Sequence, residues 1–376
     1  MTTETTTGPV VPVAPASGRR HGTFHPLRVS HVERLTDDAV AITFDVPDDL
    51  RDDYAFTQGQ HLTVRTRIDG EEVRRNYSIC APATGGRLRI GVKRLTGGAF
   101  SGHATSGLKV GDVVDVMTPT GRFFTALDPV AAKHYCAVAA GSGITPVLSI
   151  VSTVLEVEPR STVTLLYGNR TTGSVMFLDE LADLKDRYPE RFRLVHVLSR
   201  EPHEVDLFSG RLDAAKLEAL TDALVPVDSV DEWFLCGPFA MVEEARALLR
   251  ERGVPASQVH TELFHVEGTA PRESAVVDDA RAEGSSTVTV TLDGRASTLQ
   301  VPRSGQKVLD AVLAVRADAP FACKGGVCGT CRARLVSGEV DMERNYALEP
   351  DEVDAGFVLA CQSRPVSDEV VLDFDA

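Results

Sequence analysis

No stretch of this chain is both long and apolar enough to suggest a membrane span. The longest apolar region, Tyr135–Val157, is broken by Gly141, Ser142, Gly143 and Pro146. A spanning helix needs about 20 nearly uninterrupted apolar residues, so a strand, a loop and a helix is the better reading. A basic surplus is missing as well. The formal net charge of −15 leaves no excess of cations to neutralise phosphates, which argues against a nucleic-acid partner. It fits a soluble protein that repels its own copies or meets a positively charged surface. The start of the chain lacks a basic segment followed by an apolar core, so it does not read as a secretory leader. Rich in Thr, Pro and Ala, residues 1–22 read instead as a disordered tail. Cysteine is scarce and poorly placed for disulfides: there are seven, an odd number. Cys80, Cys136 and Cys236 lie far apart, while the other four crowd toward the C-terminus. That distribution suits a metal site and a reducing, cytoplasmic compartment.

At 376 residues the chain can bury two or three separate cores. Residues 23–127 show short alternating runs, such as His61–Arg65 and Leu88–Val92, separated by Gly and Pro. This pattern predicts antiparallel strands closing into a β-barrel. From 128 to 267, buried-looking strands (Tyr135–Ala140, Val163–Tyr167, Leu194–Leu198, Glu232–Cys236) alternate with helical stretches such as Ala240–Arg250. That alternation predicts an α/β domain with a parallel sheet covered on both faces. Residues 268–286 are poor in large apolar side chains and read as a linker. The last segment, 287–376, opens with a hairpin, Thr287–Leu292 and Ser297–Val301, turning at Asp293-Gly294. A helix over Lys307–Arg316 follows, and then a Cys-rich loop.

That loop carries the sharpest signal. Cys323, Cys328 and Cys331 are separated by four and then two residues, and Cys361 follows alone. Three thiolates on one loop and a solitary fourth match the plant-type [2Fe–2S] arrangement. The alternative, a four-Cys zinc site, usually pairs two short Cys hairpins. The intervening Gly325, Gly326 and Gly329 let backbone amides approach a cluster's sulfurs.

Two further constellations precede it. Arg75-Asn76-Tyr77-Ser78 ends a strand of the barrel and offers a cation for a pyrophosphate, a ring to stack on a flavin, and a hydroxyl for a ring nitrogen. Gly97-Gly98-Ala99-Phe100-Ser101 follows and can open a helix with free amides for a phosphate. In the α/β segment, the strand Tyr135–Ala140 runs into Gly141-Ser142-Gly143-Ile144-Thr145-Pro146. A glycine turn between a buried strand and a helix presents amides and a helix dipole to a dinucleotide. Cys236-Gly237-Pro238 ends a later strand at the same carboxyl edge. Arg170, Ser199 and Arg200 end the intervening strands, and two cations with a hydroxyl suit the 2′-phosphate of NADPH. Cys80 and Cys136 read as ordinary buried residues.

In this order the motifs resemble the ferredoxin–NADP reductase superfamily, and 287–376 resembles a β-grasp ferredoxin domain. The resemblance implies that Arg75 holds the flavin diphosphate, Tyr77 lies on the isoalloxazine and Ser78 faces its N5 edge. It also implies that Lys93, Gly97, Gly98 and Ser101 lie near the ribityl and pyrophosphate groups. FAD is favoured, although some relatives use FMN. Gly141, Gly143, Thr145, Pro146 and Gly237 are then nucleotide contacts, and Cys236 lies near the nicotinamide. Glu262 and Phe264 lie near the flavin. Cys323 and Cys328 hold the more exposed iron. The segments Arg74–Cys80, Tyr167–Thr171 and Asn345–Leu348 are similar to those of reductase subunits of phenylacetyl-CoA epoxidase complexes, which implies a diiron oxygenase as electron acceptor. Two other readings stay open: the reductase of a Rieske oxygenase such as a 3-ketosteroid 9α-hydroxylase, and a redox sensor without turnover.

Overall fold

The computed structural model of the chain describes residues 22–264 and 284–376. The tail up to residue 21 and most of the linker segment lie outside the described residues.

Strands β1 (Phe24–Thr36), β2 (Ala39–Asp45), β3 (His61–Ile68), β4 (Glu71–Ser78), β5 (Leu88–Lys93) and β6 (Val113–Met117) form an antiparallel sheet in the order β4-β3-β6-β1-β2-β5. Its edges meet where Ile79 bridges Ile90 and the Cys80 amide donates to the Arg89 carbonyl at 2.9 Å. The sheet therefore curls shut, as the alternating sequence predicts. Between β3 and β4 the chain turns at Asp69-Gly70, both at positive φ (52° and 85°), the geometry of a tight two-residue hairpin. That turn fixes the register, with His61 opposite Ser78 and Leu62 opposite Tyr77. A helix, α1 (Ala99–Ser106), covers one end of the barrel.

The second domain is a parallel sheet of β7 (His134–Ala140), β8 (Thr162–Asn169), β9 (Phe192–Leu198), β10 (Glu232–Gly237) and β11 (Val259–Leu263), in the order β11-β10-β7-β8-β9. Helices α2 (Ile144–Val157) and α3 (Leu178–Arg187) bury Val147, Val151 and Leu181 on one face. Helices α4 (Ala214–Leu224) and α5 (Phe239–Glu251) bury Leu217, Val242 and Ala245 on the other. The order of strands reverses between β7 and β10. The loops that leave these neighbours diverge, which opens a crevice at their carboxyl ends.

Barrel and parallel sheet abut closely. A Cβ on Gly91 of β5 would lie 2.5 Å from Cγ2 of Thr145 in α2. Arg89, 2% exposed, is clamped between Glu33 of the barrel and Glu180 of α3, each at 2.7 Å.

The C-terminal domain begins with β12 (Ser285–Leu292) and β13 (Arg295–Pro302). The hairpin starts at Ser285, two residues before the boundary expected from sequence, because Ser286 is buried and donates to the Ser367 carbonyl at 2.6 Å. Strands β14 (Arg332–Ser337), β16 (Phe357–Leu359) and β18 (Glu369–Asp373) complete a sheet in the order β13-β12-β18-β14-β16, while β15 (Val340–Met342) pairs with β17 (Ser363–Pro365). The helix Val308–Val315 packs Val308, Leu309 and Val312 into the core of this domain. No helix among the described residues is long and apolar enough to cross a membrane.

Candidate redox site

Cys323, Cys328 and Cys331 lie on the loop between the helix Val308–Val315 and β14, and Cys361 lies just past β16. Their thiols lie close enough to couple as two pairs, Cys323 with Cys328 and Cys331 with Cys361. Cys323 is exposed, Cys328 half-buried and the other two buried. The Cys323 thiol is pulled down to about 5, first by its Cys328 partner and then, against burial, by the amides of Gly325, Val327 and Cys328. Cys328 is correspondingly pushed up. In the second pair Cys331 moves up and Cys361 down, again because the two share a proton. Amides aimed at sulfur are what a cluster's thiolates require. Positive φ at Lys324, Gly326 and Gly329 (51°, 78° and 67°) curls the loop. At Gly326 a Cβ would sit 3.0 Å from Cγ of Gln362. Among the described residues no three His, Cys, Asp or Glu side chains gather as they would around a single ion. Two sulfur pairs suit the two irons of a [2Fe–2S] cluster.

Strand β4 brings the cluster loop and the barrel motif together. Successive side chains of a strand face opposite sides. Arg75 and Tyr77 share one side, where the Tyr77 ring packs on Phe100 of α1 at 5.3 Å and Arg75 is exposed. Burial raises the Tyr77 phenol well above its usual range, which keeps it neutral. Arg74, Asn76 and Ser78 share the other side. There the Arg74 guanidinium lies over the Phe321 ring at 4.2 Å, and Asn76 Nδ2 donates to Thr330 Oγ1 at 2.9 Å. Ser78 Oγ donates to Glu262 Oε2 at 3.1 Å. Glu262 sits beside Cys236 in the β10–β11 register. Cys236 is fully buried, and burial, reinforced by the Glu262 charge, pushes its thiol well up. It is therefore a neutral thiol and not a reactive thiolate. Phe264, two residues beyond Glu262, is exposed.

At the crevice, Gly141 takes a positive φ of 55°, and the Tyr167 hydroxyl donates to its carbonyl at 3.0 Å. A Cβ on Gly143 would lie 2.1 Å from the Cys236 carbonyl oxygen, so only glycine fits there. Thr145 and Pro146 are buried in the first turn of α2, and Thr145 Oγ1 donates to the Ser142 carbonyl at 3.0 Å. Gly237 has Met241 Cε 2.6 Å from where its Cβ would be. Arg170 and Arg200 are both exposed and adjacent, since the Arg200 amide donates to the Arg170 carbonyl at 2.8 Å. The Ser199 amide reaches the Asn169 carbonyl at 2.9 Å. Asn169 Nδ2 is buried without a partner, a donor left for a ligand at this edge. At α1, Gly97 (φ 73°) has open space around it. Ser101 is committed to its own loop, accepting from the Leu95 amide at 3.1 Å. Lys93 Nζ lies 3.6 Å from the Asp38 carboxylate.

A cavity of about 2120 Å³ opens where the three domains meet, lined by His61, Thr120, Glu262, Cys328, Thr330 and Tyr346 among others. Neither Arg75 nor Tyr77 lines it.

Residues 26–124 match the oxidoreductase FAD-binding domain, 137–247 the oxidoreductase NAD-binding domain, and 290–366 the 2Fe-2S iron-sulfur cluster binding domain. The chain is 46% identical to a component of the 1,2-phenylacetyl-CoA epoxidase of Escherichia coli, over 94% of this chain and 98% of that protein. The chain belongs to the reductase components of oxygenases. The reductase is also 38% identical, over 93% of its length and 95% of the relative, to the ferredoxin reductase component of 3-ketosteroid-9-alpha-monooxygenase from Mycobacterium tuberculosis. Phthalate dioxygenase reductase shares its fold with a TM-score of 0.56 and 27% identity, covering 93% of this chain and 98% of that one. An intact type IV self-sufficient cytochrome P450 monooxygenase matches with a TM-score of 0.64 and 26% identity, but this reductase spans only 41% of that chain.

The residues present fit the groups that the three domains bind. Four sulfurs with inward amides suit the cluster, and an orphaned donor at a glycine turn suits a nicotinamide dinucleotide. Reading the motifs alone passes over His61, Asn76 and Thr330. Asn76 Nδ2 lies 3.0 Å from His61 Nε2, and His61 Nδ1 lies 3.8 Å from Glu262 Oε1. The one available signal is the two-residue period of β4, which puts Asn76 on the side of Ser78. The ion pair of Arg122 with Glu352, from barrel to ferredoxin domain, leaves no local trace in the sequence.

Proposed function

We propose that this reductase takes electrons from NADPH onto FAD and passes them through its [2Fe–2S] cluster to a diiron oxygenase of the phenylacetyl-CoA epoxidase kind, in the cytoplasm. The carrying observation is the Asn76–Thr330 contact, by which the strand bearing the flavin motif touches the loop bearing the cluster ligands. When bound, a flavin converts the two-electron chemistry of a nicotinamide into the single-electron steps a cluster needs.

The chain's own groups divide the remaining work. Arg75 is assigned to the diphosphate, Tyr77 to the isoalloxazine face, and Lys93 with Gly97, Gly98 and Ser101 to the ribityl and pyrophosphate region. Support comes from the exposed guanidinium and the open, left-handed turn at Gly97. Ser78 is assigned to the reacting edge, where its hydroxyl is oriented by the Glu262 carboxylate. Cys236 is assigned to the nicotinamide side as a neutral, space-filling thiol, with Phe264 at the rim. Gly141, Gly143, Thr145, Pro146 and Gly237 shape the dinucleotide cleft. Arg170, Ser199 and Arg200 are assigned to the 2′-phosphate. Cys323, Cys328, Cys331 and Cys361 are assigned to the cluster, the first two on the exposed side.

The epoxidase partner rests on the 46% identity. A 3-ketosteroid monooxygenase as acceptor is the second reading, supported by 38% identity. The cytoplasmic assignment rests on none of the seven cysteines being joined in a disulfide. Anaerobic titration of the purified protein with NADPH tests the proposal. Flavin and cluster bands should both bleach, and the reduced protein should support the epoxidase. Zinc in place of iron and sulfide would refute the electron route, and exclusive support of a steroid oxygenase would reassign the partner.

A further inference from the structure

We propose that Asn76 is a positioning residue for electron transfer, holding the cluster loop in place through Thr330. The inference rests on the electron route proposed above and adds to it a residue that determines the rate between its two centres.

Both ends of the Asn76 side-chain amide are hydrogen-bonded. Its Oδ1 accepts from Thr63 Oγ1 at 2.7 Å, and Thr63 is fully buried on the adjacent strand. Its Nδ2 donates to His61 Nε2 at 3.0 Å and to Thr330 Oγ1 at 2.9 Å. With both ends of the amide engaged, the side chain has one orientation, and the donor aimed at Thr330 is fixed by the barrel itself. Thr330 stands between Cys328 and Cys331 on the ligand loop, close enough to the Cys328 thiol for its hydroxyl to favour the thiolate. A rigid barrel amide thus holds the residue that lies between two cluster ligands.

The flanking contacts are of different kinds. Arg74 meets Phe321 through a ring face at 4.2 Å, a contact tolerant of sliding. The ion pair of Arg122 with Glu352 involves a guanidinium about half exposed, so water screens it. Tyr346 meets Phe239 of the nucleotide domain edge to face at 5.7 Å. The Asn76–Thr330 bond is short, directional and backed by a buried partner. It is therefore the contact that defines position between β4 and the ligand loop, while the others hold the domains near one another.

Asn76→Ala, Thr330→Val and Thr330→Ser in the full chain test this by stopped-flow mixing with NADPH, read separately at the flavin and cluster bands. The flavin phase should stay within about twofold of the parent in all three. The cluster phase should slow tenfold or more in Asn76→Ala and Thr330→Val, since a displacement of about 1 Å can cost as much as a hundredfold. Thr330→Ser, which keeps the hydroxyl, should restore it. Two readouts besides turnover accompany this. Hydrogen exchange across residues 322–331 should rise in Asn76→Ala, and the spectrum of the reduced cluster should change in Thr330→Val but not in Thr330→Ser. Thr330→Val touches the ligand loop directly, so if its cluster is lost, Asn76→Ala decides alone. A parent-like cluster phase in Asn76→Ala, or equal slowing of both phases, overturns the inference. Parent protein whose flavin bleaches while its cluster does not overturns the electron route itself.

Discussion

Ser78 and Glu262, 184 residues apart, meet through a hydrogen bond of 3.1 Å from the serine hydroxyl to the carboxylate. One comes from the last position of β4 and the other from β11, so the bond ties the barrel to the edge strand of the parallel sheet. Removing the carboxylate frees the hydroxyl from its orientation. Glu262→Ala should slow flavin reduction by NADPH by about a hundredfold or more, the range for a positioned acid–base group. Flavin content should be retained. Rapid-mixing rates at the flavin band check this, and parent-like rates would remove Glu262 from the reacting edge.

Arg200 and Arg170 stand side by side beyond β9 and β8. Replacing either with Ala should raise the KM for NADPH about tenfold or more, given roughly 1.5–3 kcal/mol for a hydrogen bond to a charged group. The KM for NADH should barely move. Steady-state kinetics with both nucleotides make the comparison, and parallel changes would assign these arginines elsewhere.

Cys361 reaches the three-Cys loop from beyond β16 and pairs with Cys331. Cys361→Ala should lose the cluster or make it labile, while Arg75–Ser78 in the barrel keeps the flavin. Iron and sulfide analysis beside flavin content distinguishes the two losses. Full cluster absorption in this variant would exclude Cys361 as a ligand.

Glu352 joins Arg122 of the barrel and Arg332 of its own domain. Burial alone would raise its carboxyl, but the Arg122 hydrogen bonds, with the Glu349 amide and both guanidinium charges, hold it below the ordinary range. With the domains apart, Glu352 keeps Arg332 and the Glu349 amide but loses Arg122, so its carboxyl lies lower in the assembled state and its charge favours assembly at neutral pH. The contribution is lost as pH falls through the depressed value. Cluster reduction by the flavin should therefore weaken at acid pH, and in Glu352→Gln that part of the pH dependence should disappear. A pH series of the cluster phase in both proteins measures it.

The sequence is most legible where one short segment meets the whole physical requirement. Cys323, Cys328 and Cys331 share one loop, so their spacing alone suggests a ligand set, and Asp293-Gly294 specifies the hairpin of β12 and β13 without help from elsewhere. The helix expected over Lys307–Arg316 runs from Val308 to Val315. Lys307 stays extended, its ammonium held 2.6 Å from Glu343, a partner that no local pattern announces. Asn76 is hidden in the variable position of a motif read for its neighbours. Its role depends on Thr63, His61 and Thr330, which only the closed barrel and the third domain bring together.

The Arg89 clamp sets how the molecule comes apart. Its guanidinium is buried between one carboxylate from each of the first two domains. Pulling those domains apart takes Glu180 from Arg89, which keeps Glu33, and opens an apolar core that Ala39, Ala41 and Cys80 of the barrel share with Val147 and Val151 of α2. Barrel and parallel sheet should accordingly melt as a single cooperative unit. The ferredoxin domain, joined to them by screened ion pairs, ring contacts and one directed amide, should melt on its own. Heating would then cost this protein its electron outlet before its electron inlet.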